Sequence, residues 1–153
     1  MSCDVAIAAY LFLASTGAAP TPAPQPAAVV SVAKEPLFAD IVGRAGKLKA
    51  QTERYRKALK AAPTAALSDF SGFQAEIARL AELDMKGHEE LARRGTDGDL
   101  KCILKGISQD LGAKLHELTG AASGADQDAA LRDMAYLLND NVEVITAPPA
   151  PPV

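Results

Sequence analysis

Cys102 and His88 are the two residues whose types could do chemistry together. A neighbouring imidazole lowers a thiol's pKa and makes the thiolate a nucleophile, and thiolate with imidazole is also a soft-metal donor pair. Counting outward from the turn at Gly95 and Thr96 puts them at about the same level on consecutive helices. Two donors are fewer than a zinc site uses. The competing reading is a small, half-buried cysteine that lets helices approach closely. Cys3 is the other cysteine, so at most one intrachain disulfide can form, and no CxxC or CxxCH spacing occurs.

The second cluster is electrostatic. Arg54, Arg56, Lys57 and Lys60 crowd one segment around Tyr55, a patch suited to an anionic lipid, a polyanion or an acidic protein surface. A single interleaved aromatic is poor equipment for base stacking, and the chain's net charge is −3. Nucleic acid is therefore not an expected partner. The simpler reading of the patch is a solvated face turned toward an acidic helix.

Other chemistries lack their residues. No Ser-His-Asp or Cys-His-Asn order, glycine-rich phosphate loop or HExxH occurs, and His88-Glu89-Glu90-Leu91-Ala92 has no second His. Neither Asp84 before His88 nor Glu117 after His116 reproduces the Glu-x-x-His of di-iron bundles. Asp97-Gly98-Asp99 and Asn139-Asp140-Asn141 lack the rest of a calcium loop and read as a cap and a helix-end feature. Enzymatic function has no positive support, and no catalytic residue, cofactor or metal is assigned.

These residues must be held by helices. All ten prolines fall at Pro20–Pro26, Pro36, Pro63 and Pro148–Pro152, and proline costs about 3 kcal/mol inside a helix, so they mark ends and connections. Between them run four apolar stripes of helical period. The first is Phe38, Ile41, Ala45, Leu48, Tyr55 and Leu59, with Thr52 its polar member. The second is Phe70, Phe73, Ile77, Leu80, Gly87 and Leu91, with Asp84 its charged member. The third is Leu100, Leu104, Ile107, Leu111, Leu115 and Leu118, following a capping-box-like Thr96-Asp97-Gly98-Asp99. The fourth, after Ser123-Gly124-Ala125-Asp126, is Leu131, Met134, Leu138, Val142 and Ile145.

Short connections make consecutive helices antiparallel neighbours, so the expected fold is all-α, an up-down-up-down four-helix bundle over 36–146. Charge agrees. Residues 37–61 hold seven Lys/Arg against Asp40 and Glu53, whereas 124–146 hold Arg132 against five acids, and the first and fourth helices of such a bundle lie side by side. Helix-interior Gly72, Gly87, Gly106 and Gly112 each cost about 1 kcal/mol relative to Ala, which close packing or a cavity would explain.

Outside the bundle, residues 1–18 form an apolar segment close to a signal h-region and too short for a stable transmembrane span. Met1-Ser2-Cys3-Asp4 carries an acid where such a signal has a base, so the signal is atypical. Residues 19–35 read as an Ala/Pro-rich linker and 147–153 as a Pro-rich tail, both disordered tethers. The expected function is accordingly an exported, non-catalytic interaction or adaptor bundle of the bacterial cell envelope, periplasmic, with a protein partner or self-association and with membrane-surface contact left open. The alternatives are a sensor bundle for a small ligand or metal, and a cytoplasmic thiol-dependent redox protein using Cys102.

Overall fold

The computed structural model describes residues 31–95 and 98–147. The segment 1–18, most of the linker and nearly all of the tail lie outside the described residues. The described chain is all-α: α1 Pro36–Ala61, α2 Phe70–Arg93, α3 Leu100–Gly120 and α4 Gly124–Thr146. Each helix packs on its chain neighbours, and α4 closes the ring against α1, which leaves α2 diagonal to α4.

The directions follow from cross-helix contacts. Tyr55 near the end of α1 meets Phe73 near the start of α2 in an edge-to-face pair, centroids 5.1 Å apart. At the other end Arg94 grips Glu35, just before α1, through two hydrogen bonds of 2.7 and 2.9 Å. The α2–α3 and α1–α4 pairs are antiparallel as well: Ser108 Oγ donates to the Ala81 carbonyl, His88 reaches Lys101, Arg56 meets Asp128 and Lys49 meets Asn139. The bundle is the expected up-down-up-down one.

The stripes point inward. All seven α1 positions, Phe38 through Leu59 with Thr52 among them, are buried. Thr52 tolerates this because its hydroxyl donates to the Leu48 carbonyl one turn back, at 2.8 Å. Leu83, Ala130 and Ala135, outside the expected stripes, are buried too, whereas Phe70, Leu100, Leu115 and Val142 are only half-buried. Fully burying a side chain such as Phe38 or Leu104 stabilises the fold by about 1.5–3 kcal/mol. The core also reaches back beyond Pro36: Val32, inside the span expected to be a tether, is buried against it, and its carbonyl accepts from Glu35 N at 2.9 Å.

Helix ends differ in how they are closed. Ser123 caps α4, its Oγ accepting from Asp126 N at 3.2 Å while its hydroxyl donates to the Asp126 carboxylate at 2.6 Å. Gly95 stops α2 in the left-handed region, φ 66°, with its N–H returning to the Ala92 carbonyl. Asp99 occupies the N-cap in a helical conformation with no side-chain bond to the helix, because a helical backbone there turns its carboxylate away from the orphan N–H groups; Thr96 and Asp97 lie outside the described residues.

Candidate functional site

The basic segment of α1 divides into two by helical geometry. Arg56 turns toward α4, as its half-buried position requires, and its Nε donates to Asp128 at 3.1 Å, with Glu53 a second acceptor on its own helix. Arg54, Lys57 and Lys60 lie on the outer surface and are exposed, with no ion pair to another described residue. Lys47, two turns before Arg54, extends the same cationic surface. The complementary charge of α1 and α4 thus engages Arg56 and, through its hydrogen bond to Asn139, Lys49. Lys47, Arg54, Lys57 and Lys60 face solvent, while Arg44 pairs with Asp40 and with Glu76 of α2.

His88 and Cys102 fall where the level count puts them. The His88 Nδ1–H donates to the carbonyl of Lys101, the residue before Cys102, at 2.6 Å. Cys102 is half-buried, and Cys3 lies outside the described residues. His116 is exposed near the far end of α3, away from His88. Among the described residues no three His, Cys, Asp or Glu side chains come together to hold a metal ion.

The interior glycines have separate explanations. At Gly87 a Cβ would come within 3.1 Å of Leu104 Cδ1 and 3.3 Å of a Phe38 ring carbon, so close packing requires it. At Gly72 the Asp69 carboxylate fills the space a Cβ would take, at 2.6 Å. Gly106 and Gly112 face open space, and nothing in the structure explains them.

The arrangement that the sequence did not disclose lies in the core. Asp84 on α2 and Asn141 on α4 are both fully buried, and Asn141 Nδ2 donates to Asp84 Oδ2 across the diagonal at 2.8 Å. Among the described residues Asp84 Oδ1 and Asn141 Oδ1 have no hydrogen-bond partner. Burial pushes the Asp84 carboxyl up to about 8, against a smaller opposing effect of the Asn141 hydrogen bond. Asn141, expected in a helix-end feature, stands inside α4. The signal was present: 134, 138, 141 and 145 recur at helical spacing, and the half-buried Val142 took the position that belongs to Asn141.

No protein-family model, curated protein or solved structure matches this chain. No helix among the described residues is long and apolar enough to cross a membrane.

Proposed function

We propose that this chain is a non-catalytic interaction module of the bacterial cell envelope whose α1 docks an acidic surface of a partner protein. The observation that carries the reading is the outward presentation of Arg54, Lys57 and Lys60, joined by Lys47, on a helix whose inner face is fully committed to the core. Exposed cations with no internal counter-charge steer and orient an anionic partner more than they stabilise their own fold. The apolar segment 1–18 supports the export part of the reading, and the Ala/Pro-rich stretch behind it supports tethering.

A photo-crosslinker placed at Lys57 in the native cell tests the docking face. The expected result is a discrete crosslinked species that fades with added salt and is lost in the triple variant Arg54→Glu, Lys57→Glu, Lys60→Glu, while a crosslinker at Arg79 on α2 gives none. Equal labelling from both positions, or survival of the species in the triple variant, would overturn the docking assignment. Recovery of the uncleaved chain from cytosol alone would overturn the envelope assignment.

A further inference from the structure

The hydrogen-bond inventory of the buried α2–α4 diagonal is short of one donor. Asn141 supplies N–H groups, one of which reaches Asp84 Oδ2, yet two acceptor oxygens, Asp84 Oδ1 and Asn141 Oδ1, remain without partners in a site closed to solvent. Leaving such groups bare costs about 1–3 kcal/mol each, more for a charged one. A single added hydrogen resolves both, since a protonated Oδ1 becomes a donor and Asn141 Oδ1 is the orphan acceptor on the side chain already bonded to the same carboxyl.

We propose that Asp84 and Asn141 form a buried proton-binding site, in which one proton taken from solvent sits on Asp84 Oδ1 and is donated to Asn141 Oδ1. The carboxylic acid and the amide then share a closed ring of two hydrogen bonds, and the core holds no charge. Loss of the proton breaks one bond of the ring, sets two acceptors against each other and leaves an uncompensated anion between α2 and α4. The site therefore works as a proton-dependent clamp across the bundle, independently of any partner docked on α1.

Among the described residues no ion pair competes for Asp84. On the turns that flank it the ionisable side chains are Arg44 on α1, Glu82, Lys86 and His88 on α2, Lys105 on α3, and Asp140 and Glu143 on α4, with Glu82 and Lys86 both exposed to solvent. Arg44 is held at the surface by Asp40 and Glu76, and Asp140 is raised by burial and by Glu143. What moves Asp84 is burial first and the Asn141 hydrogen bond second.

The sign follows from the direction of the shift. A carboxyl whose folded value lies near 8 and whose ordinary value is 3.8 holds its proton in the folded state after the unfolded chain has lost it. Stability from this site is full below the ordinary value, falls as pH rises between the two, and levels off above about 8. In that window the unfolding equilibrium constant rises about tenfold per pH unit from this group alone.

The test uses the full chain labelled with 13C at aspartate carboxyls, with Asp84→Asn to identify the resonance. The expected Asp84 signal is that of a neutral acid at about pH 6 and moves only toward alkaline pH. Asp84→Asn keeps the ring, because its amide N–H donates to Asn141 Oδ1, and carries no charge. Its unfolding constant should stay level while that of the wild type climbs across the window, so the two proteins separate with pH and the gap then saturates. An Asp84 signal already at the carboxylate position near pH 6 overturns the proposal, as does a gap that does not change with pH. If Asp84→Asn does not fold, the last aspartate signal to titrate in the wild type decides the question alone: its absence at alkaline pH counts against the site.

Discussion

Gly124, the first residue of α4, lies against the carbonyl of Pro63, the connection that follows α1, so closely that a Cβ on Gly124 would overlap the Pro63 oxygen. The α1–α2 and α3–α4 connections thus meet backbone to backbone at one end of the bundle. A backbone obstacle cannot swing aside as a side-chain tip can. Gly124→Ala should therefore destabilise the fold by about 2–3 kcal/mol, despite alanine's better helix propensity, and lower Tm by on the order of 10 °C. A thermal melt unchanged from wild type would show that this junction yields.

Gly87 and Gly46 make a contrasting pair. A Cβ at Gly87 meets Leu104 at 3.1 Å and Phe38 at 3.3 Å, both fully buried, whereas at the exposed Gly46 it meets nothing. Alanine at 46 should stabilise the protein by about 0.5–1 kcal/mol through helix propensity alone. Alanine at 87 receives the same gain but must displace core side chains, a cost of about 1–3 kcal/mol. Denaturant midpoints should move in opposite directions, up for Gly46→Ala and down for Gly87→Ala.

Arg56 and Lys57 are adjacent in sequence and differ in what they hold. Arg56 is 16% exposed and paired with Asp128 at 28%, so Arg56→Ala should cost about 1 kcal/mol, part of it lost packing of the side-chain stem. Lys57→Ala, on the outer surface, should stay within about 0.5 kcal/mol of wild type. Urea titrations at low and high salt separate the two, because the ion-pair share of the Arg56 effect shrinks with screening.

The four helices and the whole inner row of α1 were legible because period 3.6 survives in a sequence whose prolines stand only at boundaries. Thr52 was recognisable as a polar member of that row, since a hydroxyl can bond its own helix. The Asp84–Asn141 pair was not, although Asp84 already stood on an apolar stripe. Two polar residues on separate stripes reveal their relation only when the level of one helix against its diagonal neighbour is known, and that level depends on connection lengths and on close approaches such as Gly124 on Pro63. The division of the basic segment was half legible: charge balance pointed α1 toward α4, but only the rotation of the helix decides that Arg56 turns inward and Arg54, Lys57 and Lys60 do not.

The diagonal pair also bears on which arrangements the chain avoids. Leucine and isoleucine rows are tolerant of sliding, because a helix displaced by one turn, about 5.4 Å, meets another apolar residue of similar size. Shifted by that amount, Asp84 would face Leu138 or Ile145 in place of Asn141, and a polar group would lie stranded in hydrocarbon. The pair thus penalises mis-staggered packings more than it rewards the correct one, in the way a single buried asparagine sets the alignment of a coiled coil. It lets an otherwise permissive apolar interior discriminate one stagger from its neighbours.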